Sequence, residues 1–220
     1  MKILNLFAGI GGNRSAWGDN HEITAVEINP DIASIYQKRF PNDIVIVGDA
    51  FEFLLQHYNE YDFIWISPPC QSHSIMLRFP KQPKKLPDLR MYSLIIFLQQ
   101  NYSGKYVVEN VKPYYEPLIK ATTEINRHLF WSNFAIPEIK LKKAYNKNFK
   151  YLDVPTLCKV HNIDETVYAK IKIIKWPNHD AKRQILRNCV DYRIGKYILK
   201  CATKTVQTVL FKKETGVMFE

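Results

Sequence analysis

No apolar run in this 220-residue sequence is long enough to span a lipid bilayer. The first residues, Met1 to Leu6, also lack the form of a signal peptide, because they lead directly into a predicted strand and a glycine turn. Internal repeats and low-complexity segments are missing too. The hydrophobic share of 46% is typical of a globular protein. We therefore expect a cytoplasmic globular protein with no membrane partner.

The cysteines are not spaced as metal ligands or as a disulfide framework. Cys70, Cys158, Cys189 and Cys201 form no C-x-x-C pair, which is the spacing that many zinc sites and redox motifs use. We therefore expect no metal site, and a reducing compartment is the simplest setting for these thiols.

Acidic residues are outnumbered by basic ones, 21 against 31, which leaves a formal net charge of +10. Such a surplus suits a polyanionic partner, and nucleic acid is the commonest one. A basic protein that is merely soluble would carry the same charge. Charge alone therefore does not decide between these two interpretations.

A glycine turn joins the first predicted strand, Ile3 to Phe7, to a short predicted helix, Asn13 to Trp17. The turn, Ala8-Gly9-Ile10-Gly11-Gly12, does not match G-x-G-x-x-G and so does not indicate a pyrophosphate cradle. Closely spaced glycines let a ligand approach the backbone, and free N–H groups at a helix start favour a carboxylate. A tight turn with no ligand is the alternative.

Acidic residues follow the next two predicted strands. Glu27 ends the strand that begins at Glu22, where an acid commonly holds ribose hydroxyls. Asp49 follows the strand Ile44 to Val47 and would lie at the same sheet edge, although a helix cap is its alternative role. Between them, Asn29-Pro30-Asp31 predicts a capped helix start.

Cys70 lies just beyond a fourth predicted strand, Tyr61 to Ile66, whose apolar run indicates burial in a parallel sheet. Pro68 and Pro69 end that strand, since neither can donate to a sheet ladder. Ligands of open α/β sheets bind at this edge. A small buried hydrophobe is the alternative role for Cys70. The segment Gln71 to Leu89 is predicted to be a long, basic, mobile loop that closes over the site as a lid.

The fold class follows from the order of these elements. A helix over Met91 to Asn101 leads to a fifth strand, Tyr106 to Val111, near whose end Glu109 lies. Five βα units predict a doubly wound α/β sheet. We divide the chain into a catalytic domain (1–133), a short variable region (134–180) and a C-terminal return (181–220).

Beyond Lys112 the pattern loosens. Asn126 to Trp131 is strand-like, and residues 137 to 177 show no long amphipathic period, which allows either a small lobe or irregular loops. Ala181 to Cys201 is predicted to be one helix, and Thr205 to Phe211 a final strand.

These pieces together resemble the cytosine-C5 DNA methyltransferase family. Leu6 to Gly12 looks like its methyl-donor motif, and Glu27 and Gly48-Asp49 look like its second and third motifs. Pro68-Pro69-Cys70-Gln71 resembles its catalytic Pro-Cys-Gln, and Glu109-Asn110-Val111 its Glu-Asn-Val. Asn188 and Val190 resemble its late Gly-Asn-x-Val motif.

The resemblance implies a Rossmann-like, S-adenosylmethionine-dependent methyltransferase fold with a short recognition lobe. It implies DNA as the partner, a duplex from which the target cytosine is flipped out. Cys70 would add as a thiolate to C6 of cytosine, and Glu109 would stabilise the charge at N3. Arg127 is the third implied catalytic residue. The residues implied to hold S-adenosylmethionine are Phe7, Ala8, Gly9, Gly11, Gly12, Glu27, Ile28, Asp49, Pro69, Asn188 and Val190.

The chain departs from the family pattern at three places. Arg187 replaces the glycine before Asn188, and Asp191 replaces the proline after Val190. The usual Gln-x-Arg-x-Arg segment is missing, and Arg127-His128 is its candidate remnant.

Two alternatives stay open. The first keeps the reaction but uses tRNA, because both nucleic acids present phosphates to a basic protein. The second is a subunit of a split methyltransferase, or a non-catalytic nucleic-acid-binding relative, whose recognition comes from a protein partner. The short variable region motivates the second. Restriction-modification is one of several roles that would fit the reaction.

Overall fold

The computed structural model describes residues 1–80, 85–142, 151–165, 168 and 181–203. Within these ranges the sheet has seven strands, in the order β3-β2-β1-β4-β5-β7-β6. The first five are mutually parallel, and β7 is antiparallel to both of its neighbours, β5 and β6. This is the doubly wound α/β fold that the sequence predicts. The strands are β1 (Lys2–Leu6), β2 (Glu22–Glu27), β3 (Ile44–Val47), β4 (Phe63–Ile66), β5 (Lys105–Val111), β6 (Thr123–Ile125) and β7 (His128–Ser132).

Helices cover both faces of the sheet. On one face α2 and α3 pack against the alternate strand residues that include Leu4 and Ile64, and on the other α6 packs against the set that includes Ile3 and Trp65. The helices are α1 (Pro30–Arg39), α2 (Ala50–His57), α3 (Arg90–Asn101), α4 (Val154–Val160), α5 (Ala181–Arg187) and α6 (Tyr192–Thr203), with 3₁₀ turns at Asn13–Ala16, Tyr58–Glu60 and Ile75–Arg78. No helix of the described residues is long and apolar enough to cross a membrane.

The chain reverses its winding direction beside β1, which pairs with β2 on one side and with β4 on the other. A crevice opens at such a switch point, outside the carboxyl ends of the strands. Both predicted caps at this edge are present. The Asn29 side chain accepts from the N–H groups of Asp31 and Ile32, and Asp49 accepts from those of Phe51 and Glu52. These two caps fix the connections that follow β2 and β3 at this edge.

The single helix predicted over Ala181 to Cys201 is wrong, because two helices occupy that stretch. Asn188 to Asp191 separates them, and the Asp191 side chain accepts from the backbone N–H of Arg193 at the start of α6, 2.9 Å away. The break turns Val190 into the core and brings Asn188 to the crevice. A continuous helix could not supply both contacts.

One other expectation needs correction. The strand predicted from Asn126 begins only at His128, because Asn126 and Arg127 form the turn of a β6–β7 hairpin. The region after Pro137 contains a helix, α4, whose buried Leu157 and Cys158 pack with Ile32 and Ile35 of α1. The predicted strand Thr205 to Phe211 lies outside the described residues, as do Lys81 and Lys84 of the basic loop.

The described parts of the predicted lid, Gln71 to Pro80 and Lys85 to Leu89, are anchored at several points. Arg78 donates two hydrogen bonds to the Tyr114 carbonyl oxygen, at 2.9 and 2.6 Å. Ser72 Oγ accepts from the backbone N–H of Asp88 at 3.1 Å, which joins the two ends of the loop. These contacts fix the parts of the loop nearest to Cys70.

Candidate active site

One cavity of about 520 Å³ lies at the carboxyl ends of the parallel strands. That volume falls within the range of small-molecule pockets. All of the predicted site residues except Gly11 line it, although they come from seven separate segments. They are Phe7, Ala8, Gly9, Gly12, Glu27, Ile28, Asp49, Pro69, Cys70, Glu109, Arg127, Asn188 and Val190.

Gly11 lies behind the cavity wall. A Cβ atom there would come within 2.4 Å of Phe40 and 2.8 Å of Tyr36, and the backbone φ is +75°. Steric fit against α1 and a left-handed conformation therefore both require glycine at this position. Its place in the structure is that of a turn residue.

The glycine turn is held to the end of β2 by Glu27. Its Oε2 accepts from the Gly9 N–H and its Oε1 accepts from the Asn29 N–H, both at 2.9 Å. Burial raises the pKa of Glu27, and the N–H donors of Asn29 and Gly9 oppose that rise. A Cβ at Gly9 would meet nothing within 4 Å, so the Gly9 backbone in the cavity wall is open to the cavity. Glu27 thus shapes the turn and also faces the cavity.

Phe7 adopts φ +55°, an uncommon conformation for a bulky aromatic residue and one that costs about 1–3 kcal/mol. Its ring packs edge-on against Phe51, with centroids 5.2 Å apart. The guanidinium of Arg90 lies over the other aromatic ring, 4.5 Å from the Phe51 centroid. Backbone strain of this kind is concentrated at ligand sites.

Beside Phe7 and Phe51, the cavity is lined by the apolar side chain of Ile28 and the acidic side chain of Asp49. Ile28 is 67% exposed, which is unusual for an isoleucine that directly follows a buried strand. Asp49 caps α2 and also lines the cavity. The predicted capping role and the predicted binding role are therefore compatible.

The segment between α5 and α6 closes the opposite side of the cavity. A Cβ at Gly12 would lie 2.7 Å from the Val190 carbonyl oxygen and 2.8 Å from Cys189 Cβ. Only glycine lets the C-terminal segment approach the first turn this closely. Arg187, which departs from the family pattern, also lines the cavity here.

Cys70 begins a tight turn directly after Pro69. Its carbonyl oxygen accepts from the N–H groups of His73 and Ser74, both at 3.0 Å. His73 Nδ1 in turn lies 2.6 Å from the Tyr115 hydroxyl. Burial raises the pKa of the Cys70 thiol, the charge of Glu109 raises it further, and the charge of Arg127 opposes the rise. Burial is thus the main influence on thiolate formation at Cys70, and these two neighbours act on it in opposite directions.

His128 links Glu109 to Arg127. In the sequence, His128 was only part of the candidate remnant of the missing Gln-x-Arg-x-Arg segment. His128 Nδ1 contacts Glu109 Oε1, and Arg127 Nε donates to His128 Nε2 at 3.1 Å. Both side chains of the inner pair are almost buried, at 12% exposure for His128 and 6% for Glu109. The site therefore contains a row of three polar side chains beside Cys70.

Asn110 joins the two catalytic motifs, and sequence reasoning assigned it no role. Its side-chain N–H donates to the Pro68 carbonyl oxygen at 3.1 Å. The β5 end is thereby tied to the turn that carries Cys70. The position of Asn110 directly after Glu109 was the available signal, whereas Phe51, Arg90 and His73 gave none because their roles depend on packing across the fold.

The comparisons with known proteins agree with this geometry. Residues 1–130 match the family described as C-5 cytosine-specific DNA methylase. The chain is 29% identical over 117 residues to a tRNA (cytosine(38)-C(5))-methyltransferase of Spodoptera frugiperda, covering 50% of this chain and 35% of that protein. The corresponding Mus musculus protein is 27% identical over 120 residues, covering 51% and 29%. The matched part is thus about a third of the length of these curated relatives.

A solved structure supports the fold over a longer stretch. The crystal structure of a mutant of Spodoptera frugiperda DNMT2 has a TM-score of 0.53 and 16% identity, covering 92% of this chain and 99% of that one. S-adenosylmethionine is the cofactor that this family and fold indicate, and the strand-end acids, the open glycine turn and the cavity volume fit it. Because the family match extends over more than half of its residues, this chain belongs to the C-5 cytosine-specific DNA methylase family.

Proposed function

We propose that this protein transfers a methyl group from S-adenosylmethionine to C5 of a cytosine in nucleic acid, through a covalent bond from Cys70. The observation that carries the proposal is that Cys70 and Glu109 line the same cavity as Glu27 and Asp49. A nucleophile, an acid and a donor pocket are therefore within reach of one flipped base.

The Cys70 thiolate adds to C6 of the cytosine, and the electron pair of the C5–C6 double bond moves so that C5 becomes nucleophilic. The Glu109 carboxyl group in its protonated form donates its proton to N3, where negative charge develops. S-adenosylmethionine supplies the electrophilic methyl group when bound. Loss of the C5 proton to a base then expels Cys70 as a thiolate and restores the aromatic ring.

The donor-binding residues have separate roles in this proposal. When S-adenosylmethionine is bound, Glu27 would accept hydrogen bonds from the ribose hydroxyls and Asp49 would accept from the adenine amine, while Phe7 and Ile28 would contact the adenine ring. The glycine turn and Asn188 surround the methionine part. Arg187 adds a positive charge at this end, where the donor carries a carboxylate.

DNA is our first candidate substrate, as duplex DNA with a flipped cytosine. The family description supports it, and the net charge of +10 suits any phosphate backbone. tRNA is the second candidate, because both curated relatives are tRNA methyltransferases.

A trapping experiment tests the reaction and the substrate together. Duplex DNA and tRNA that contain 5-fluorocytosine are incubated with the protein and S-adenosylmethionine, and covalent complexes are counted by denaturing electrophoresis. We expect a complex on one substrate, because fluorine at C5 cannot leave as a proton and elimination stalls. Cys70→Ala should form none, and Cys201→Ala should form as much as the unmutated chain.

An adduct that persists in Cys70→Ala would contradict the assignment of the nucleophile. Absence of any adduct, together with absence of S-adenosylmethionine binding in calorimetry, would favour the non-catalytic alternative. Activity that appears only after a cell extract is added would favour a split enzyme with a protein partner.

A further inference from the structure

The row of polar residues beside Cys70 assigns a specific role to His128. We propose that His128 is a positioning residue for Glu109, holding one carboxylate oxygen so that the other faces the target base. This inference rests on the proposed function, since it assigns His128 a part in cytosine methylation. Nothing in the sequence pattern required a histidine at this position.

The backbone register brings the two side chains together. Glu109 on β5 is opposite Phe130 on β7, and Val111 is opposite His128. Glu109 and His128 are thus diagonal neighbours on one face of an antiparallel pair, close enough for long side chains to meet. The contact between His128 Nδ1 and Glu109 Oε1 is therefore built into the strand pairing.

The hydrogen bonds determine which ring nitrogen carries the proton. Arg127 Nε donates to His128 Nε2 at 3.1 Å, so Nε2 is the acceptor. The ring proton is then on Nδ1 and points to Glu109. The His128 ring is thus held between the Arg127 guanidinium and the Glu109 carboxyl group, with Nδ1 directed at Glu109.

The β6–β7 turn fixes this arrangement. Asn126 has φ 58°, a left-handed conformation that asparagine tolerates better than most residues. The two-residue turn leaves Arg127 at the tip of the hairpin and His128 as the first residue of β7. The backbone N–H of Lys112 donates to the Arg127 carbonyl oxygen at 2.9 Å, which ties the tip to the end of β5.

The consequence for Glu109 is an asymmetric carboxylate. Oε1 is occupied by His128, and Oε2 has no hydrogen bond within the part of the chain that the structure describes. Because Glu109 lines the cavity with Cys70, the second oxygen is the one left for the base. A carboxylate held at one oxygen rotates less, and misplacement by about 1 Å can lower a rate by about 100-fold.

Three variants distinguish positioning from a structural role. His128→Leu removes the donor at nearly the same volume, and His128→Asn restores an N–H close to the place of Nδ1. His57→Leu, at a partly exposed histidine on α2 outside the cavity, is the matched control. Each protein is assayed for methyl transfer to the substrate that the unmutated chain uses, and for S-adenosylmethionine affinity by calorimetry.

We expect His128→Leu to lower kcat by about 100-fold while KM for the nucleic acid and donor affinity stay within a factor of two or three. His128→Asn should regain most of the rate, and His57→Leu should match the unmutated protein. A His128→Leu protein with unchanged kcat would overturn the proposal. A His128→Asn protein as slow as His128→Leu would also overturn it. The same holds for a His128 variant that has lost donor binding. An unmutated chain inactive on both DNA and tRNA would instead remove the proposed function itself.

Discussion

The thiol of Cys70 has two charged neighbours that act on its pKa in opposite directions. Burial and the charge of Glu109 raise that pKa, and Arg127 lowers it. Because only the thiolate is nucleophilic, the rate of adduct formation should rise with pH up to the pKa of Cys70. Glu109 and Arg127 line the cavity together with Cys70. Their charges therefore influence how much of the Cys70 thiol is in the nucleophilic thiolate form near neutral pH.

Alkylation of Cys70 tests this control. Glu109→Gln removes a negative charge and should speed alkylation by iodoacetamide at fixed neutral pH, although it impairs methylation. Arg127→Ala removes a positive charge and should slow it. The modified peptide is quantified by mass spectrometry, since three other cysteines are present.

Glu124→Gln serves as the control for Glu109→Gln. This glutamate is exposed on β6 and pairs with Lys112 at 3.1 Å, away from the cavity. Equal alkylation rates in all four proteins would show that Glu109 and Arg127 do not act on the thiol.

Helix α6 is the element whose packing supports the donor turn. A Cβ at Gly195 would lie 2.1 Å from the Asn13 carbonyl oxygen, which belongs to the 3₁₀ turn after the glycines. Gly195→Ala should destabilise the fold by about 1–3 kcal/mol through overpacking, partly offset by the higher helix propensity of alanine. Denaturant unfolding measures the stability, and calorimetry should show weaker donor binding.

The stability control is Gly48→Ala. Its added Cβ would have only Ile46 within 4 Å, at 3.9 Å, and the position does not have a positive φ. The two substitutions make the same chemical change, so the difference in unfolding free energy reports the contact with Asn13 less the helix propensity that alanine gains at position 195. Equal stability of both variants would mean that α6 adjusts freely against the first turn.

Elements whose boundaries depend on local chemistry were predictable from the sequence. The buried strands β1 and β4 follow from continuous apolar runs, and the starts of α1 and α2 follow from Asn29 and Asp49 as caps. The break at residues 188 to 191 was not predicted, because the apolar spacing continues through it, although Asp191 before α6 was an available local signal for a new helix start. The helix α4 was missed for a related reason, since its seven residues are too few for a clear period.

The site shows the same division between local and long-range causes. Motif spacing placed Cys70, Glu109, Glu27 and Asp49 at one sheet edge, because parallel strands end together. The link from Glu109 to His128 depends on antiparallel pairing between β5 and β7, which no local pattern indicates. Sequence reasoning therefore identified the reacting groups better than the groups that orient them.

At the scale of the whole molecule, the variable region contributes much of its described length to the core. Phe134 and Ile136 are buried against the sheet, and Leu157, Cys158 and Val160 are buried against α1. Exposed residues such as Lys140 and Lys142 suit phosphate contacts better than base recognition. The boundary at residue 134 stays a prediction, since residues on both sides of it share one core.

This distribution leads to a prediction about specificity. Each well-placed bidentate base contact discriminates by about 1–3 kcal/mol, so a long recognition sequence needs several rigid contacts at once. Most apolar side chains of the described variable region are buried in the core, so few of them remain to support base contacts. We expect the chain alone to methylate cytosines in a short, relaxed context. Bisulfite sequencing of random-sequence substrate measures this context directly, with Cys70→Ala as the control for incomplete conversion. Methylation confined to a site of six or more fixed bases would show that residues 134–180 form a complete reader.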